Sequence, residues 1–322
     1  MSGLHHSVAM AFGVSGVLRE KGYFKTADNA KIIRKTKDMP EQIFARHQIT
    51  EHCINAGYLW MDRYYPAQSE KNAQNCPISV FADGSHYIMT DLIKYREADF
   101  SDEDEFLKIV EAVARWHSCA RGVSLISDLA PVSVTTPAPL TEVFRTQSKV
   151  LDDIHKRIRK SSKWSDFDIC TLKSYPMYKD RIQRALQLLE RTGYLKRYSL
   201  AKQKNHICHG ALKEDILRVR GNKIYITTLD NVSIDYQLND LCGLIRRREK
   251  KHKGLKHSRI LEAYTREMPL EQEEEVILEA MLLYPLAFVK IITEYYKKKR
   301  TWTPVAMSNK IKEILEADGL SC

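Results

Sequence analysis

From Phe106 to Trp116 the apolar positions Phe106, Ile109, Val110, Val113 and Trp116 recur at intervals of three and four, which places them on one face of an α-helix. Ser101, with Asp104 three residues later, supplies a capping-box-like start, and Arg121-Gly122 marks the end. A second helix, carrying Ile43, Phe44, Cys53 and Ile54, is bracketed by Asp38, Pro40 and Gly57. Proline just inside the start and glycine past the end is the asymmetry helices prefer. Strand patterns follow it: ISVF and HYIMTDLI flank ADGS, where Asp83-Gly84 suits the positive φ angles of a tight hairpin turn. Further along, Ile182, Leu186 and Leu189 lead a helix to a stop at Gly193. Glu271 to Arg300 forms a long apolar-faced helical pattern that Pro285 should split, because proline lacks the amide donor and clashes with the preceding turn. VSLISDLAPVSVTTPAP, from Val123 to Pro139, has three prolines and many hydroxyls and reads as a surface loop.

Mixed α and β up to residue 93, then mostly helix, predicts an α+β protein of two unequal lobes with a cleft between them. The smaller N-terminal lobe is residues 1–93, with a connector near Thr90 to Glu97. The larger helical lobe is residues 94–322, with one embedded hairpin at about 216–229. No internal repeat is found.

Composition fits a globular chain of 322 residues, with 43% hydrophobic and 29% charged residues. The longest nearly unbroken apolar run, AMLLYPLAFV from Ala280 to Val289, falls short of the ~20 residues a bilayer helix needs, so no membrane span is expected. The N-terminal MSGLHHSVAMAFGV has no Lys or Arg ahead of its apolar stretch, so no secretory leader is expected and synthesis is read as cytoplasmic. The seven cysteines are scattered with no C-x-x-C pair and are read as free thiols. The net charge of +10 favours acidic partners without choosing among phosphates, anionic surfaces and acidic proteins.

Candidate chemistry centres on HGALKEDI, His209 to Ile216. Kinase-type phosphoryl-transfer enzymes place an aspartate base two residues after a histidine, an asparagine metal ligand five residues further on, and a second metal-binding aspartate after a hairpin. HGAL matches the HGDL of small-molecule kinases, with Ala211 at the base position and Ile216 at the asparagine position. Aligning Asp240 with the structural aspartate that closes the motif puts Thr228 where the metal-binding aspartate belongs. Losing a general base costs about 10²- to 10⁴-fold, and losing the ligands removes the charge stabilisation a metal supplies. Asp215 and Asp230 lie close enough for a shifted register to offer carboxylates, though acidic residues are ordinary on a solvated turn. His209 is read as holding its own loop by hydrogen bonds, and Asp240 as tying the loop backbone together. Cys208 beside His209 is not read as a metal pair, since adjacent residues rarely ligate one ion. In IIRKTK, Lys35 is the candidate nucleotide contact and Arg34 the alternative.

Four segments carry a wider resemblance: GYFKTADNAKIIRKTK, YIMTDLIKYREADFSDEDEFLKIVEAVARWHSCARG, TLDNVSIDYQLNDLCGLIRR and LLYPLAFVKIITEYYKKKRTWTP. Over nearly the whole chain the sequence resembles the CotS family of spore coat proteins, itself similar to choline and aminoglycoside phosphotransferases. The resemblance implies a two-lobed protein-kinase-like fold and a place in the bacterial endospore coat after synthesis in the mother cell. With Ala211, Ile216 and Thr228 departing from the kinase pattern, the expectation is a pseudokinase. It acts as a structural and assembly component among other spore coat proteins, with no cofactor, no metal and no ATP or Mg binding.

Two alternatives follow from the residues. One is an active small-molecule kinase or nucleotide binder with non-standard metal ligands. The other is a nucleic-acid-binding protein using RRREKKHKGLKH, Arg246 to His257, and YYKKKR, Tyr295 to Arg300. No nucleic-acid module accompanies these runs, so they are read as solvated faces or as surfaces for acidic proteins. The sixteen tyrosines suit interfaces and cores alike.

Overall fold

In the computed structural model, which describes residues 2–15, 17–20, 23–28, 30–68, 76–125, 133–297 and 304–320, the chain begins with α1 (Ser2–Ala11), β1 (Val17–Glu20), β2 (Tyr23–Thr26), β3 (Lys31–Thr36) and α2 (Pro40–Asn55). It continues through β4 (Tyr64–Tyr65), β5 (Val80–Ala82), β6 (Ser85–Asp91), β7 (Arg96–Glu97) and α3 (Glu103–Cys119). Next come α4 (Leu140–Arg159), α5 (Asp166–Arg191), α6 (Tyr194–Gln203), β8 (Ile207–Cys208), β9 (Leu217–Arg220), β10 (Lys223–Ile226) and β11 (Ser233–Ile234). Four helices and a fifth end the chain: α7 (Leu238–Glu249), α8 (His257–Thr265), α9 (Gln272–Leu283), α10 (Leu286–Lys297) and α11 (Pro304–Ala317). Packing divides the chain into two compact units, Met1–Pro137 with Ser199–Leu270, and Ala138–Tyr198 with Glu271–Cys322.

In the first unit an antiparallel sheet runs β1-β2-β3-β6-β4, with β5 also on β6. Asp83 and Gly84 turn the β5–β6 hairpin at φ values of 51° and 66°, as the Asp-Gly pair predicts. The sheet has two apolar faces. Ile33, Tyr87 and Met89 meet Val8, Ala9 and Phe12 around α1, and Ile88 meets Ile43, Phe44, Tyr64 and Ile78 around α2. Strand alternation sends neighbouring side chains to opposite faces, so β3 is apolar at both Ile32 and Ile33. The N-terminal helix α1 is absent from the sequence reading.

Helix α2 begins at Pro40 behind Met39, one residue beyond the expected Asp38, whose carboxylate is engaged elsewhere. Helix α3 is likewise capped one residue later than expected, by Asp102, whose side chain accepts the Glu105 amide. The buried face of α3 is the predicted one, Phe106, Ile109, Val110, Val113 and Trp116. Each of these contributes about 2 kcal/mol relative to exposure. The embedded hairpin is β9 and β10, antiparallel with Val219 opposite Ile224, and β7 extends its sheet. Residues 126–132 of the proline-rich loop lie outside the described residues.

The second unit is helical. Helix α5 is opened by a Ser165 capping box and continues through an internal Pro176. Stacked ring pairs fill the core: Phe144 on Tyr284 at 3.6 Å between centroids, Tyr178 on Phe288 at 3.8 Å, and Phe167 on Tyr295 at 3.9 Å. Pro285 separates α9 from α10, as predicted. Across that break, Gln272–Tyr296 is long and apolar enough to span a bilayer by length and composition, with a mean hydropathy of 1.9 in its most apolar window. This run is longer than the Ala280–Val289 segment weighed from the sequence. The structure divides it into two helices of 12 residues and buries 56% of that window inside the protein.

Cys53, Cys76, Cys119, Cys208 and Cys242 are free thiols. Cys170 is disulfide-bonded, which corrects the reading of every cysteine as free.

Candidate functional site

The HGAL loop leaves the sheet pair β8–β11, in which Cys208 faces Ser233, and its backbone is held from α7. Asp240, in the first turn of α7, accepts the His209 amide at 2.6 Å and the Gly210 amide at 2.8 Å on its two oxygens. The Nε2–H of His117 in α3 donates to the same carboxylate at 3.1 Å, and His117 Nδ1 meets the Tyr264 hydroxyl at 2.8 Å. Burial by itself would raise the Asp240 pKa. The His117 bond and charge, His209 and the Gly210 amide outweigh it, so the carboxyl is held below its usual range. Asp240 thus ties loop, α3 and α7 together.

His209 is fully buried. Its Nε2 lies 3.3 Å from the Thr227 carbonyl, and its Nδ1 accepts the Ala211 amide at 3.4 Å. These contacts define an Nε2–H tautomer, since a carbonyl only accepts and an amide only donates. Burial pushes the imidazole pKa down, against Asp240. The histidine therefore braces the loop against the end of the hairpin. Gly210 stands at φ 77°, and a Cβ there would collide with the Asn231 carbonyl oxygen, so the loop requires glycine at this point.

Ala211 is half-buried, and so is Ile216, whose carbonyl accepts the Thr227 amide at 3.1 Å and the Thr227 hydroxyl at 2.7 Å. Thr228 adopts φ 53°, the left-handed region, which a β-branched residue rarely occupies. Its amide donates to Asp62 Oδ1 at 3.2 Å. Asp62 was not singled out from the sequence. It is 7% exposed, and burial pushes its carboxyl up to about 6 although Arg34 and the Thr228 amide oppose the shift.

Asp230 accepts from Arg46 Nη1 at 3.1 Å, its backbone carbonyl accepts Arg46 Nη2 at 3.2 Å, and Arg34 Nη2 stands 3.9 Å away. Arg46 lies in α2, carries no sequence signal for this role, and also donates to Asp38 at 2.7 Å. Asp215 turns to the surface and pairs with Lys213 at 2.7 Å. The two basic candidates of β3 part company. Arg34 pairs across the sheet with Ile88 and shares the α2 face, whereas Lys35 pairs with Tyr87 on the α1 face and is exposed. Arg34, not Lys35, is the β3 cation that meets the loop at Asp230.

Among the described residues no group of three or more His, Cys, Asp or Glu side chains gathers as a metal site would. The basic run Arg246 to His257 is partly internal. Arg248 is buried, 3.6 Å from Glu103 and 5.2 Å from the Phe106 ring, while Lys251 pairs with Glu214 and His257 with Glu249. In the second run, residues 298–300 lie outside the described residues.

The architecture has solved counterparts. An aminoglycoside phosphotransferase from Alicyclobacillus acidocaldarius superposes with a TM-score of 0.80 at 12% identity, covering 98% of this chain and 92% of that one. The AMP-bound spectinomycin phosphotransferase APH(9)-Ia gives 0.58 at 11% identity, over 97% and 93% of the two chains. Plasmodium vivax ethanolamine kinase gives 0.51 at 12%, over 95% and 81%. Identities this low establish the fold alone: α+β, protein-kinase-like, of the aminoglycoside phosphotransferase kind, with a small mixed N-terminal lobe and a mostly helical C-terminal one. A comparison with curated protein sequences found no match. The family model described as "Spore coat putative kinase YutH" matches residues 15–320, in agreement with the CotS-like resemblance of the sequence, and the chain belongs to this spore coat family.

Proposed function

We propose that the protein is a structural component of the endospore coat, a pseudokinase that retains the phosphotransferase fold and works through protein contacts. The observation that carries this reading is the set of residues around the HGAL loop. Ala211 and Ile216 present no oxygen ligand, and Thr228 stands at the metal-binding position. The carboxylates beside these positions are already engaged, Asp215 with Lys213, Asp230 with Arg46 and Asp62 with the Thr228 amide. These residues do not fit a metal-bound nucleotide, because a divalent ion would have to displace the guanidinium from Asp230 and bind a buried carboxyl that burial disfavours as an anion.

On this reading the lobes, residues 1–93 and 94–322, serve as a scaffold, without cofactor, for other coat proteins. The protein is made in the mother cell and deposited on the spore. Its net charge of +10 favours acidic partner surfaces.

A thermal-shift titration with Mg-ATP, paired with a γ-phosphate transfer assay on aminoglycoside and ethanolamine acceptors, tests the reading. The expected result is an unchanged Tm through millimolar nucleotide and no labelled product. Stabilisation that grows with nucleotide concentration, as ligand binding to the native state requires, would overturn it.

A further inference from the structure

The groups around Arg34 invite an anion at first sight. Its Nε and Nη2 are buried with no hydrogen-bond acceptor among the described residues, and the buried Tyr64 hydroxyl also lacks a partner there. The charge balance decides otherwise. Two cations, Arg34 and Arg46, face the carboxylates of Asp38 and Asp230, and Asp62 beside them adds negative charge as it ionises. No positive excess remains to draw an anion, and the guanidinium groups repel a divalent cation. The cluster is neutral while Asp62 is protonated and carries one negative charge once it ionises.

The same cluster joins separate pieces of the chain. Arg34 comes from β3, Asp38 from the segment after it, Arg46 from α2, Asp62 from the approach to β4, and Thr228 and Asp230 from the segment after the hairpin. Arg46 grips Asp230 twice, at the side chain and at the main-chain carbonyl, with only 5% of its own side chain exposed.

We propose that Arg46, bridging Asp38 and Asp230, is an internal brace that fixes residues 227–231 onto α2 and β3 with no ligand bound. This deepens and rests on the scaffold reading: ion pairing within the chain, with no ligand, holds the segment after the hairpin in one conformation. Arg34 is its loose member, near Asp230 in charge but outside hydrogen-bond range.

Amide hydrogen exchange on the full chain tests this, with the Thr227 and Thr228 amides as reporters and the His209 and Gly210 amides, held by Asp240, as internal controls. Asp230→Asn is a mild change at a half-exposed side chain. It should speed exchange at Thr227 and Thr228 about tenfold, the scale of one lost charge-assisted contact, and leave the control amides alone. Arg46→Met should act on the same amides, and the double variant should exchange no faster than the faster single one. Equal acceleration at reporters and controls, no acceleration in Asp230→Asn, or additive effects in the double variant would overturn the brace. The same measurement on wild type with Mg-ATP separates the two claims. Nucleotide protection of Thr227 and Thr228 would sink the scaffold reading, while the brace stands or falls on the variants.

Discussion

The two sides of the HGAL loop are built on opposite terms. On the Asp240 side, one buried carboxylate satisfies the His209 amide, the Gly210 amide and the His117 ring, and its pKa is held low. On the Arg34 side, buried guanidinium nitrogens and the Tyr64 hydroxyl lack partners among the described residues, Asp62 titrates near 6, and Thr228 sits in a left-handed conformation. A fully paired buried network rigidifies, and a half-paired one carries strain and unspent polarity. The difference teaches that the loop's shape rests chiefly on the Asp240 contacts to α7 and α3, with His209 adding one contact to the Thr227 carbonyl.

The largest effect should come from breaking the paired side. Asp240→Ala leaves two buried donors, the His209 amide and the His117 ring, and the more exposed Gly210 amide without an acceptor, and should cost about 3–5 kcal/mol in urea unfolding. A loss under about 1 kcal/mol would mean the two sides do not differ as described.

The second test concerns pH. Asp62 is raised in the folded state to about 6, above an unfolded value near 4, so the native state binds the proton more tightly. Its contribution is present in acid and lost as pH rises from about 4 through 6. Asp62→Asn, which still accepts the Thr228 amide, should therefore gain stability over wild type by up to about 3 kcal/mol between pH 4 and pH 7. Asp235, also raised to about 6 by burial, acts in the same direction, whereas burial and Arg121 push His206 down to about 4 and give the opposite slope over that window. The whole-protein pH profile therefore masks each group, and the difference between wild type and Asp62→Asn isolates one. A flat difference would remove the buried carboxyl from the account.

The smallest effect is a gain. Asn tolerates φ 53° better than a β-branched residue, so Thr228→Asn should raise stability by about 1 kcal/mol in the same unfolding assay. Destabilisation there would show that Thr228 is not strained.

Much of the fold was legible because local signals act over a few residues. Asp83-Gly84 turned the hairpin, Pro285 split the last apolar run, and the apolar face of α3 was buried as its spacing required. The caps at Met39 and Asp102 each fell one residue beyond the expected position, because Asp38 turns to Arg46 and Asp102 reaches the Glu105 amide. In the site, Asp240 as the tie of the loop was readable from motif spacing alone. Arg46, Asp62 and His117 were not, since each lies more than 100 residues from the group it serves and nothing nearby in sequence marks it.

By itself, then, the sequence determined the buried face of α3, the β5–β6 turn, the break at Pro285, the family, and the absence of carboxylate and amide at positions 211, 216 and 228, because these follow from residue identity and short-range periodicity. Tertiary structure alone decided that Arg34 rather than Lys35 meets the loop. In KIIRKT each strand face carries one isoleucine and at least one cation, and only the packing of α1 on one face and α2 on the other distinguishes them.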